Sequence, residues 1–204
     1  MPLPWLWLNM ADTFSIVVLI SGNGSNLQAI IDSIAREQWP IEIKAVISNQ
    51  SSAYGLQRAH AANIAVEVIE RKQFTSRAAF DHALQTSLQH HNPDLIVLAG
   101  FMHILAPEFV QAFNNKLINI HPSLLPKFKG LNTHQRALDA AEKTHGCSVH
   151  YVTTELDAGQ VIAQAQCDIN TDESADSLQQ KVHALEHELL PKVIHQLSQN
   201  TKNS

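Results

Sequence analysis

Ser15-Ile16-Val17-Val18-Leu19-Ile20-Ser21-Gly22-Asn23-Gly24-Ser25-Asn26 passes from a β-branched apolar run into a glycine-rich turn, and residues 27–36 continue with helical spacing. Such a run, apolar at every position, suits a strand buried on both faces, and a helix directly after it begins a strand–helix–strand unit. The same alternation recurs downstream. Residues 41–48, 65–69, 94–99 and 117–121 read as strands. Residues 53–62, 77–90, 107–113 and 133–141 read as helices, the second of these with Ser76 as its cap. Residues 147–153 and 161–169 read as two strands separated by a turn-rich stretch at 155–160, and residues 174–197 as a long amphipathic helix. The pattern predicts an α/β fold: a Rossmann-like, mostly parallel twisted sheet with helices on both faces and some antiparallel strands near the C-terminal part. Ligands of such sheets bind outside the carboxyl ends of the strands, which singles out residues 22–26, 100–105 and 119–126.

The chain has 204 residues, 45% apolar and 16% charged, which fits one domain with a sizeable core. Its organisation reads as a disordered or extended leader at 1–13, a single domain at 14–198 and a frayed polar tail at 199–204. The leader has no basic n-region and is broken by Pro2 and Pro4, so it does not read as a signal peptide; Met10 is an alternative start. No run is long enough to span a bilayer. A net charge of −5 without a Lys/Arg cluster argues against a nucleic-acid partner. Two cysteines, Cys147 and Cys167, without metal-type spacing fit a reduced, cytoplasmic setting.

Chemistry is concentrated in Ile118-Asn119-Ile120-His121-Pro122-Ser123-Leu124-Leu125-Pro126. Asn119 and His121, two apart on a strand, share a face. An amide can donate to a developing oxyanion and an imidazole can move a proton near neutral pH, which suggests acyl-type transfer. Asp157, in Leu156-Asp157-Ala158-Gly159-Gln160, is a carboxylate that would favour the charged form of a nearby imidazole; on the residues alone an ordinary Asp-x-Gly turn is the simpler explanation, and spacing does not decide between them. The glycine-rich turn offers backbone amides at a helix start for an anion, or is only a tight turn capped by Ser or Asn. It lacks the Lys-Ser/Thr ending of a P-loop, and Leu27 stands at the third glycine of a dinucleotide fingerprint. His183, Glu186 and His187 match a short H-x-x-E-H zinc pattern, which is cheap in a chain with twelve histidines and has no evident third ligand. Other histidines, such as His90, His91 and His195, read as surface residues.

Taken together, residues 17–28, 97–102, 119–126 and 146–162 resemble the glycinamide ribonucleotide formyltransferases, folate-dependent enzymes of purine biosynthesis. Asn-x-His-Pro-Ser-Leu-Leu-Pro is shared more widely among formyl-folate enzymes, whereas Gly-Asn-Gly-Ser-Asn narrows the resemblance to a ribonucleotide acceptor. The resemblance implies 10-formyltetrahydrofolate as cosubstrate, 5'-phosphoribosylglycinamide as acceptor and no metal. It implies catalytic roles for Asn119, His121 and Asp157, and acceptor contacts from Gly24, Ser25, Asn26, Pro122 and Glu186. Folate contacts fall on Arg77, Met102, His103, Ile104, Leu105, Asn119, Val152, Thr153, Thr154, Glu155 and Asp157. His103 stands where bacterial relatives carry Arg, and Gln160 where a Pro is common. The alternatives are a deformylase, an aminoacyl-tRNA formyltransferase, for whose extra nucleic-acid-binding region the chain has no room, and a non-catalytic folate or nucleotide binder. A monomer and a homodimer are both compatible with the sequence.

Overall fold

A computed structural model describes residues 13–201. The expected leader, apart from Thr13, and residues 202–204 of the expected tail lie outside the described residues. Seven strands form one sheet: β1 Phe14–Ile20, β2 Ile41–Ser48, β3 Val66–Val68, β4 Leu95–Leu98, β5 Leu117–His121, β6 Thr144–Tyr151 and β7 Val161–Asp168. Six helices connect and cover them: α1 Ser25–Glu37, α2 Gly55–Ala61, α3 Arg77–His91, α4 Pro107–Ala112, α5 Thr133–Asp139 and α6 Ala175–Thr201.

The sheet order is β3-β2-β1-β4-β5-β6-β7. The first five strands in this order pair in parallel, and β5, β6 and β7 pair antiparallel, as the sequence pattern predicts. Strand order reverses at β1, which has β2 on one side and β4 on the other. This is the switch point at which a crevice opens above the strand ends.

β1 has no polar face because both of its faces are covered. Ile16, Val18 and Ile20 pack with Leu27 and Ile30 of α1 and with Leu178, Val182 and Ile194 of α6. Val17 and Leu19 pack on the other side with Phe80, Leu84 and Leu88 of α3 and Phe109 of α4. Each fully buried Val, Leu or Ile adds about 1.5–3 kcal/mol over an exposed one, so a charged substitution in β1 would lose that and bury an unpaired charge as well. In α1, residues 27, 30, 31 and 34 recur at helical spacing and give it a single apolar stripe against the sheet. Ser76 caps α3 as expected, its side chain accepting from the Ala79 N–H.

The differences from the sequence reading are mostly at element ends. β6 begins at Thr144, three residues before the expected start at 147. Gly146 hides this strand because it adds no β-forming side chain. It is required there by close packing, since a Cβ would lie 2.0 Å from the Ala165 carbonyl oxygen. α6 continues to Thr201, past the expected end at 197 and into the expected tail. Two of the histidines read as surface residues are engaged. His91 pairs with Glu67 at 2.5 Å, and His195 stacks on Trp39 with ring centroids 4.3 Å apart. Only His90 of the three is plainly exposed.

Candidate active site

Three loops meet at the carboxyl ends of the parallel strands. The loop after β1 is tied to the loop after β4 by two bonds: Ser21 N–H donates to Gly100 O (3.1 Å), and Met102 N–H donates to the Ser21 hydroxyl (2.7 Å). β5 enters the same region with Asn119 and His121 on one face. Across the antiparallel ladder they stand opposite His150 and Ser148 of β6. A cleft of about 600 Å3 opens over these residues. Asn119, His121, Pro122, His150 and Asp157 contribute to its lining. Leu98, residues 100–105 and residues 152–156 line it too, together with Gly130, Leu131 and His134.

His121 is 5% exposed and Asp157 9%. The Asp157 Oδ2 lies 3.4 Å from His121 Nδ1 and accepts from the Gly130 N–H at 2.9 Å. The other ring nitrogen, Nε2, lies 3.0 Å from the Phe128 carbonyl. Both nitrogens of the ring thus face oxygen acceptors. Phe128 itself has φ +56°, a left-handed conformation unusual for a bulky side chain, and this turns its carbonyl toward the imidazole.

The Asn119 amide is oriented by His150. Its Nδ2 lies 3.2 Å from His150 Nε2, while His150 Nδ1 lies 2.9 Å from the Tyr151 carbonyl. A carbonyl only accepts, so Nδ1 carries the hydrogen and Nε2 of the neutral ring accepts from Asn119. Burial pushes the His150 pKa down and keeps the ring neutral, against smaller opposing effects of the Tyr151 carbonyl and Asp157. One Asn119 N–H is thereby committed to His150 and the second is left for the cleft. His150, Phe128 and Gly130 were not anticipated from the sequence. The one available hint was the alternation Gly146-x-Ser148-x-His150, which places His150 on the face shared with its neighbour strand's polar pair.

The remaining predicted residues divide into two groups. Met102 and Ile104 are 66% and 62% exposed and give the cleft an apolar lining with Leu105 and Val152; Thr153, Thr154 and Glu155 line it as well. His103 is turned inward: its Nε2 lies 2.8 Å from Asp81 Oδ1 and its ring meets Phe80 edge-on at 4.6 Å. That side chain anchors the lining from behind. Arg77 is not among the cleft-lining residues; its guanidinium donates to the Ile104 carbonyl and lies 3.7 Å from Asp81. The segment 127–132 is held by Lys129–Glu155 (3.0 Å), Lys127–Glu142 (2.8 Å) and the Gly130–Asp157 bond.

Gly24, Ser25, Asn26 and Glu186 stand outside the cleft's lining. Gly24 is the N-cap of α1 with φ +73°, and no side chain caps the helix, so the Ser or Asn cap expected of a plain turn is not formed. A Cβ on Gly24 would lie 2.6 Å from the Gly55 Cα, which fixes glycine at this position. Asn26 Nδ2 donates to Glu186 Oε2 at 2.9 Å, and its Oδ1 is buried with no hydrogen-bond partner among the described residues. His183 and His187 stack with centroids 6.3 Å apart, while the Glu186 between them in sequence points to Asn26. A second cleft, of about 890 Å3, runs between α1 and α6 and is lined by Ser25, Trp39, Arg58 and His187 among others; it holds none of the Asn119, His121 and Asp157 side chains.

Glu186 is 4% exposed, and burial pushes its pKa up, opposed by the Asn26 bond and by the nearby His183 and His121. A carboxyl raised in the folded state binds more protons folded than unfolded between its two pKa values. Its contribution is therefore present below the ordinary carboxylate value and is lost as pH rises through the raised one. Glu186→Gln, which keeps an oxygen for Asn26, is expected to be least favourable relative to wild type near pH 4 and to gain steadily toward neutral pH. Urea unfolding of both proteins across this range measures the difference, and a difference independent of pH would contradict the assignment.

A buried imidazole–carboxylate pair beside an oriented carboxamide, at the carboxyl end of β5 in a doubly wound sheet, suits acyl-group transfer. The chain belongs to the formyl transferase family, which it matches over residues 14–194. It is 48% identical over 180 residues to the phosphoribosylglycinamide formyltransferase of Escherichia coli K12, spanning 88% of this chain and 85% of that protein. The phosphoribosylglycinamide formyltransferase structure from Coxiella burnetii superposes with a TM-score of 0.89 at 51% identity, covering 93% of this chain and 89% of that one. A 44% match over 179 residues links it to the trifunctional purine biosynthetic protein adenosine-3 of Bos taurus, taking in 88% of this chain and 18% of that protein.

Proposed function

We propose that this chain transfers the formyl group of 10-formyltetrahydrofolate to the amine of 5'-phosphoribosylglycinamide, a step of purine biosynthesis, and that it does so in the cytoplasm. The observation that carries the reading is the 3.4 Å approach of Asp157 to His121, with Asn119 on the same strand face and all three opening on one cleft. The relatives' names support the ribonucleotide as acceptor.

The acceptor is an α-amino-type nitrogen with a pKa of about 8, so a useful fraction is neutral at pH 7. Its lone pair attacks the formyl carbon and the carbonyl π electrons move to oxygen. The free Asn119 N–H and the His121 ring stabilise the oxyanion. At His121 Nε2 the charged oxyanion displaces the Phe128 carbonyl, since an anion is the stronger acceptor. Asp157 stabilises the positive charge of the ring. Collapse of the intermediate re-forms the carbonyl and breaks the bond to the folate nitrogen. The attacking nitrogen loses one proton and the leaving nitrogen gains one. No covalent enzyme intermediate is needed. The apolar lining of Met102, Ile104, Leu105 and Val152 suits a flat pteridine, and residues 153–155 supply further contacts to it. Arg77, outside the cleft's lining but bonded to the Ile104 carbonyl, supplies positive charge for the folate's carboxylate tail. Gly24, Ser25 and Asn26 hold the acceptor's phosphate, with Pro122 and Glu186 toward its amine and ribose.

Purified protein given 10-formyltetrahydrofolate should release tetrahydrofolate only when the ribonucleotide is added, with formylated ribonucleotide as product. Release at an equal rate without the acceptor would assign a hydrolase instead.

A further inference from the structure

Arg58 carries an aspect of acceptor recognition that the sequence pattern does not mark. It lies on α2, away from Asn119, His121 and Asp157, yet its guanidinium is spent on the glycine-rich loop. Nε donates to the Asn23 carbonyl (2.9 Å), one terminal nitrogen to Asn23 Oδ1 (3.1 Å) and the other to Gln28 Oε1 (3.2 Å). Its guanidinium carbon also sits 4.9 Å from the centre of the Tyr54 ring. The fork therefore grips the loop before α1 and the first turn within it, on either side of the left-handed Gly24.

All three acceptors are neutral oxygens. None of the ion pairs among the described residues includes Arg58, so its charge is held in place without being cancelled by a carboxylate. That charge is felt across the gap to α6, where it helps push the His187 pKa down, after burial and His183. Arg58, Ser25 and His187 line one cleft, so there is open space beside the loop. A fixed positive charge, an uncapped helix start in left-handed geometry and adjoining space together suit a phosphate monoester.

Resting on the acceptor proposed above, we infer that Arg58 is a positioning and charge-complementing residue for the acceptor's phosphate. It sets the loop so that the amides of α1 converge, and it supplies a cation locked to that loop. Its contribution is specific to the phosphorylated acceptor and indifferent to the folate.

The test compares wild type, Arg58→Ala and Arg58→Lys on two acceptors, the ribonucleotide and its dephosphorylated riboside, at several ionic strengths. Arg58→Ala is expected to raise KM for the ribonucleotide about 10- to 100-fold, the range of a lost charged hydrogen-bond set. The loss should be much smaller with the riboside, and KM for the folate should hold. Arg58→Lys should recover part of the loss, because it restores charge without the fork, and should carry the test alone if the alanine variant does not fold. The salt dependence of KM for the ribonucleotide should flatten in Arg58→Ala. Equal losses on both acceptors, or an unchanged KM for the ribonucleotide, would overturn the inference. Failure of wild type to formylate the ribonucleotide would instead overturn the acceptor assignment.

Discussion

Replacing His121 with alanine is expected to lower turnover by about 10²–10⁴-fold, the range for loss of a general acid or base. The ring is held on both sides, by Asp157 at Nδ1 and the Phe128 carbonyl at Nε2, and it stands two residues from the amide that shares its face. In the proposed mechanism alanine removes the proton carrier and one of the two oxyanion donors together. In the proposed assignment the acceptor's phosphate is recognised elsewhere, on the loop before α1, so KM for the ribonucleotide should change far less than kcat. A loss in kcat with KM preserved means that the missing interaction is made mainly in the transition state. Steady-state rates at saturating folate, with thermal unfolding as a control for the small cavity left behind, measure the effect. Turnover within a few-fold of wild type would remove His121 from the mechanism.

The distinction between chemistry and binding also marks where the sequence was readable. Local periodicity carried most of the fold. The unbroken apolar run at 16–20 required a strand covered on both faces, and the stripe at 27, 30, 31 and 34 required a helix lying on it. The parity of Asn119 and His121 along one strand placed them side by side without any tertiary information. What the sequence could not carry was pairing across the fold. Nothing local brings Asp157 to His121 rather than to solvent; that contact depends on β6 and β7 folding antiparallel beside β5 so that their connection returns over the strand end. His150 shares this difficulty, since its value lies in the register that sets it opposite Asn119. Phe128 was hidden for a different reason: its contribution is a backbone carbonyl, which no side-chain pattern records. Arg58 carries no sequence signal of its own, because its partners Asn23 and Gln28 lie 35 and 30 residues away and meet it only in the folded chain.

Asp157→Asn provides the sharper experiment, because the substitution changes charge with little change in shape. Asparagine tolerates the left-handed φ of +47° found at this position, and its carbonyl oxygen can keep the bond from the Gly130 N–H. Folding should therefore survive, and any loss of activity reports on the missing charge. Turnover is expected to fall by about 10²–10⁴-fold, as for the imidazole it supports. If the two residues act as a unit, as the mechanism proposed above requires, their effects should not add. Once His121 is alanine there is no ring charge for Asp157 to stabilise, and the double variant should be scarcely slower than His121→Ala alone. Multiplicative losses would mean that Asp157 acts independently of the ring, for instance by ordering residues 128–130 over the cleft. In that case Asp157→Asn should also lower the melting temperature or the folate affinity. Single-turnover rates for the two single variants and the double variant, beside folate titrations of each, separate these outcomes.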